Sequence, residues 1–152
     1  MQRLRGDRHA DFRAGFHWPL RVYYEDTDAG GIVYYANFLK FFERCRTEWL
    51  RALGFDQARL AAQDRLQFVV TELAVCYLKP ARLDDRLDVS ARLARVGAAS
   101  LHFEQQLARA GELLATGQVK VACVSADTLA PAAMPAGLRR AVSASSPAPD
   151  SL

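Results

Sequence analysis

Hydrophobic and polar positions along the chain follow two rhythms. Leu20, Val22 and Tyr24 alternate with Arg21, Tyr23 and Glu25, the two-residue period of a strand with one buried face. From Phe38 the rhythm changes. Phe38, Phe41, Phe42, Cys45, Trp49 and Leu53 recur at steps of three and four, which places them on one face of a helix. Leu39 and Leu50 widen that face, so this helix is expected to be more deeply buried than a surface helix. Asn37 is the expected N-cap and Gly54 the expected C′ residue. A short second helix is expected over about 56–63. Four strand patterns follow: 66–79, closed by Pro80; 87–93; 101–107, after Gly97-Ala98-Ala99; and 113–125, after the turn at Arg109 to Glu112.

The short connections favour antiparallel pairing of consecutive strands. One long helix and one antiparallel sheet must bury each other. The simplest arrangement is an α+β hotdog, a five-stranded antiparallel sheet wrapped around a long central helix. Residues 1–17 show no periodicity and read as a flexible N-terminal arm, with the folded domain spanning 18–138. Residues 139–152, rich in Ala, Ser and Pro, read as a flexible C-terminal tail.

Composition narrows the classes. The chain has 152 residues, enough for one domain with a core of its own. A net charge of +3 with scattered basic residues gives no basic stripe for nucleic acid. No apolar run approaches the ~18–20 residues of a membrane span, and no apolar leader follows the first arginines. A cytoplasmic protein is expected. Cys45, Cys76 and Cys123 are far apart without Cys-x-x-Cys spacing and read as reduced, buried thiols.

Candidate chemistry centres on Asp26-Thr27-Asp28-Ala29-Gly30-Gly31, between the first strand and the helix. A calcium loop counted from Asp26 fails, because Gly30 and Asn37 occupy ligand positions. A phosphoryl-transfer site would need more carboxylates than Asp84 and Asp85 and a phosphate-holding lysine. The third reading uses the helix start, whose unpartnered N–H groups can polarise a carbonyl. Gly30 and Gly31, lacking Cβ atoms, let a substrate approach the backbone. Ile32, with Tyr34 and Phe38, would restrict the pocket. Asp28 could then attack that carbonyl or activate a water towards it; equally, it could only cap the turn. His9, His17 and His102 are scattered, and no Gly-x-Ser-x-Gly elbow exists. No metal, triad or cofactor is expected.

The stretch "RVYYEDTDAGGIVYYANFLKFFERCRTEWL" resembles the signature of the 4-hydroxybenzoyl-CoA thioesterase branch of hotdog proteins. It is most like the acyl-CoA thioesterases whose genes accompany the Tol–Pal envelope system in bacteria. "FVVTELAVCYLKPARLDDRLDV" and "SLHFEQQLAR" extend the resemblance over roughly 18–135. It implies acyl-CoA thioester hydrolysis without a cofactor, with Asp28 as the catalytic carboxylate, nucleophile or general base. The backbone N–H at Tyr35 would hold the thioester carbonyl, and Tyr24 matches a tyrosine near the site. Several such relatives carry histidine where this chain has Tyr35, so only the backbone role carries over. Coenzyme A lies across a subunit interface in the family, its phosphates near the hairpin where Arg95 and Ser100 are the donors here. The implied partners are acyl-CoA, acyl carrier protein as a further substrate carrier, and a second copy in a homodimer or homotetramer. Two rivals on the same fold are a non-catalytic module binding acyl-CoA or acyl carrier protein, and a hydratase or dehydratase. The latter usually needs a catalytic histidine or another acid pair, which the motif lacks.

Overall fold

The computed structural model describes residues 15–145; most of the expected arm and the last part of the expected tail lie outside them. Strands β1 (Phe16–Arg21), β2 (Leu66–Tyr77), β3 (Arg86–Val96), β4 (Ser100–Arg109) and β5 (Glu112–Ser125) form one antiparallel sheet in the order β1-β3-β4-β5-β2. The α+β hotdog arrangement is therefore observed. Consecutive pairing holds at the β3–β4 and β4–β5 hairpins. It fails between β2 and β3, because β2 pairs with β5 at the edge of the sheet. The connection over 78–85 instead crosses the β4–β5 turn, where Leu78 and Lys79 N–H both donate to the Leu114 carbonyl.

The first strand begins earlier than its alternation suggested and ends at Arg21. Tyr24–Asp26 is a 3-10 turn instead of a strand end. Its cause is local competition for backbone groups: Asp26 Oδ2 accepts from Tyr23 N–H at 2.8 Å, and Asp26 N–H returns to the Tyr23 carbonyl at 3.0 Å. Pro19 fits within β1 because that strand lies at the other sheet edge, where a missing N–H costs no ladder bond.

Helix α1 (Asn37–Ala52) lies across the sheet and buries Phe38, Phe41, Phe42, Cys45, Trp49 and Leu50. Trp49 meets the Phe103 ring edge-on at 5.1 Å. Helix and sheet approach closely at Gly117, where an added Cβ would sit 3.0 Å from the Phe42 ring. Only glycine admits that approach without displacing the ring. The helix ends as expected at Gly54. Gly54 N–H donates to the Arg51 carbonyl and Phe55 N–H to the Leu50 carbonyl, a Schellman pair. Its start differs: Asn37 is the first helical residue, Ala36 stands before it, and no side chain caps the end. The Asn37 amide is spent elsewhere, as described below.

Helix α2 (Gln57–Arg59), continuing as a π-helical turn over Leu60–Asp64, fills the expected position. Arg46 donates to Gln105 Oε1 at 2.9 Å. Gln105 is buried and donates onward to the Phe42 carbonyl at 3.0 Å. Two of the three cysteines are buried; Cys76 faces outward from β2 and is exposed. Helix α3 (Ala136–Ser145) includes residues placed by the sequence reading in the tail. Leu138 and Val142, four apart on one face, are fully buried and join the core.

Candidate active site

The acidic turn is closed by its own hydrogen bonds. Asp28 N–H donates to the Ile32 carbonyl at 2.8 Å, and Gly31 N–H to the Asp28 carbonyl at 3.1 Å. Gly31 has φ +79°, a left-handed conformation that glycine adopts without penalty. Asp28 Oδ1 accepts from Gly30 N–H at 2.8 Å, an aspartate turn that fixes the carboxylate's orientation. Asp28 Oδ2 has no hydrogen-bond partner among the described residues, and the side chain is exposed. Capping and reactivity are thus compatible: one oxygen holds the turn, and the other is unspent.

Asp26 is the opposite case. It is 6% exposed, with Oδ2 engaged by Tyr23 N–H. Its carbonyl oxygen accepts both Tyr34 N–H at 3.0 Å and Asn37 Nδ2 at 2.8 Å. That carbonyl ties the acidic turn to the start of α1, so Asn37 locks the two together instead of capping.

The peptide N–H of Tyr35 donates to no acceptor among the described residues, while both flanking carbonyls are held. Asn37 N–H donates to the Tyr34 carbonyl at 2.8 Å, and Phe38 N–H to the Tyr35 carbonyl at 3.2 Å. A bond to the Tyr34 carbonyl polarises the same peptide unit that carries the Tyr35 N–H. Tyr77, at the end of β2, donates its hydroxyl to the Tyr35 carbonyl at 3.0 Å. Burial, and then the neighbouring Tyr35, push the Tyr77 phenol up from its ordinary value. It therefore remains a protonated donor through neutral pH.

The other expected residues fall at different distances from this centre. Ile32 is part of it through its backbone: it accepts from Asp28 and bridges Arg82. Tyr24 lies in the 3-10 turn, 82% exposed, and its hydroxyl makes no hydrogen bond among the described residues. Arg95 and Ser100 stand at the β3–β4 hairpin. The acidic turn is backed by the loop entering β3 at its other end, ~30 Å along the strand. A single chain does not bring these two residues to Asp28.

That backing loop is a further component that the sequence did not disclose. Val33 N–H donates to the Ala81 carbonyl at 2.8 Å, Leu83 N–H to the Gly31 carbonyl at 3.4 Å, and Asp84 N–H to the Val22 carbonyl at 3.0 Å. Arg109 pins the loop from the β4–β5 turn, donating to Asp85 Oδ2 at 2.7 Å while its other nitrogen reaches Glu112 at 2.8 Å. Beside the helix, a cleft of about 440 Å³ runs between α1 and β2, lined by Leu39, Phe42, Arg46, Val70, Leu73 and Val119 among others. Along the same edge strand, Val70, Leu73 and Tyr77 are 43–49% exposed.

Three comparisons bear on this arrangement. Residues 22–142 match the model of the thioesterase-like superfamily. The chain is 49% identical over 127 residues to "Acyl-CoA thioesterase YbgC" of Haemophilus influenzae, covering 84% of this chain and 93% of the relative. It is 46% identical over 121 residues to "Acyl-CoA thioester hydrolase YbgC" of Escherichia coli O6:H1, covering 79% and 90% respectively. Among solved structures, a probable thioesterase from Bartonella henselae superposes with a TM-score of 0.77 at 34% identity, over 80% of this chain and all of that one. With the five-stranded sheet, the central helix and the matched span in agreement, this chain belongs to the thioesterase-like superfamily as a hotdog-fold hydrolase.

Proposed function

We propose that the protein hydrolyses acyl-CoA thioesters: acyl-CoA and water give the free carboxylic acid and coenzyme A. The observation that carries this reading is the pairing of two unspent groups on one hydrogen-bonded frame. Asp28 presents Oδ2 from a fixed turn, and the Asp26 carbonyl joins that turn to the helix start where the Tyr35 N–H has no partner among the described residues.

The thioester carbonyl oxygen accepts from the Tyr35 N–H, where the partial positive charge of the helix start supports the developing oxyanion. Asp28 then attacks the carbonyl carbon and expels the coenzyme A thiolate, and water cleaves the resulting mixed anhydride; alternatively, it takes a proton from a water that attacks directly. Both routes leave the carboxylate regenerated and the thiolate protonated. A thioester carbonyl is more electrophilic than an ester's, and a thiolate leaves readily. Tyr24 borders the entrance, and Gly30 and Gly31 leave room for the acyl–sulfur bond.

The working unit is a homodimer or homotetramer. Its support is the unpaired β2 edge with half-exposed Val70, Leu73 and Tyr77, since such an edge is satisfied by pairing with a second copy. Arg95 and Ser100 then serve the coenzyme A phosphates of a site whose Asp28 belongs to the other chain. Acyl carrier protein is a further carrier of the same thioester. No helix among the described residues is long and apolar enough to cross a membrane, and the cytoplasm supplies the substrate. The test is thiol release from acyl-CoAs graded from short aliphatic to long and aromatic, with the free acid identified by mass. Turnover of at least one acyl-CoA is expected. Tight acyl-CoA binding without thiol release would make the protein a binding module instead.

A further inference from the structure

Helix α1 begins without a side-chain cap and without an acidic residue in its first turn. The start of the helix is therefore held by contacts other than a cap. One holder is Asn37, through the Asp26 carbonyl. The other is Tyr77, distant in sequence and on the edge strand: its hydroxyl lies 3.0 Å from the Tyr35 carbonyl. Its ring meets the Tyr35 ring edge-on at 6.0 Å and lies 5.4 Å from the Phe38 ring. These three contacts converge on the residues that present the Tyr35 N–H.

We propose that Tyr77 is a positioning residue, whose hydroxyl holds the Tyr35 carbonyl and so fixes the residue whose N–H, on the preceding peptide, is aimed at the thioester carbonyl. The inference rests on the reading that this N–H holds the carbonyl. Tyr77 touches no reacting atom. It acts through the Tyr35 carbonyl, with Asn37 N–H holding the other flanking carbonyl. Because Tyr77 closes the edge strand β2, the same hydroxyl also links the state of the sheet edge to the aim of the helix start. The contribution belongs to the transition state, where charge on the carbonyl oxygen grows. Ground-state binding of the coenzyme A portion is independent of it.

Tyr77→Phe separates this role from simple packing, since it keeps the ring and removes only the hydroxyl. The expected result is a fall in kcat of about 3- to 10-fold, the range for one lost neutral hydrogen bond, with KM and Tm close to wild type. A raised KM and a lowered Tm with kcat retained would assign Tyr77 to packing alone and overturn the inference. Asp28→Asn run in the same assay separates the two levels. If Asp28→Asn is inactive while Tyr77→Phe turns over at the wild-type rate, the inference fails and the thioesterase reading stands. If Asp28→Asn turns over normally, the reading fails and takes the inference with it.

Discussion

Two aspartates two positions apart have opposite fates, and the difference is made by hydrogen bonds. Asp26 is buried, and both its side chain and its carbonyl are spent on holding backbone and Asn37. Asp28 is exposed and has one oxygen to spare. The glycine-bracketed turn and the helix after it singled out Asp28 in the sequence, and the family resemblance, not the pattern, favoured chemistry over capping. Asn37 was legible as a residue of the helix start, but its partner was not, since the Asp26 carbonyl that its Nδ2 reaches lies in a separate turn. Tyr77 had no signal at all, because its partner Tyr35 lies in a different element. Thiol chemistry belongs to this scale too. Burial pushes the Cys45 thiol up to about 12, with the Asp88 charge adding to it, and burial also raises Cys123. Cys76 is exposed. Iodoacetamide at neutral pH is expected to label Cys76 alone in the native protein and all three after denaturation, as read by peptide mass; rapid native labelling of Cys45 would contradict the packing.

At the scale of elements, the central helix was the most legible part, since its apolar face recurs over several turns. The first strand was less so: its alternation continued through Val22 and Tyr24, while the Asp26 side chain drew the same backbone into a turn. The backing loop 78–85 carried no pattern, because its order comes from contacts distant in sequence. Asp85 is central among these. Desolvation raises its carboxyl, but the bonds from Arg109 and the Arg82 N–H, with both charges, outweigh that and hold it below the ordinary range. A carboxylate whose folded value is depressed stabilises the fold above its ordinary value of about 3.9, and that contribution is lost as pH falls towards the folded value. Asp85→Asn is therefore expected to lower Tm at pH 7, with the gap to wild type closing below about pH 4. A gap that stayed constant into acid would mean that the Asp85 charge does not stabilise the loop.

On the scale of the whole molecule, the sheet leaves the outer edge of β2 without a partner strand among the described residues, beside a row of half-exposed apolar side chains. Five strands around a helix were legible from the patterns. Which strand would lie at the edge was not, because β2 pairs with the last strand instead of its neighbour in sequence. Lysine at such an edge blocks pairing, so Leu73→Lys is expected to give a folded monomer with little turnover. Light scattering and thiol release together test this; a fully active monomer would mean that one chain holds the complete site. The central claim is that the Asp28 carboxylate performs the chemistry, and its most direct test is the kcat of Asp28→Asn on the best acyl-CoA, with the fold checked by circular dichroism. A loss of about 100-fold or more in a folded variant is the expected result for a removed catalytic carboxylate; turnover at the wild-type rate would contradict the account.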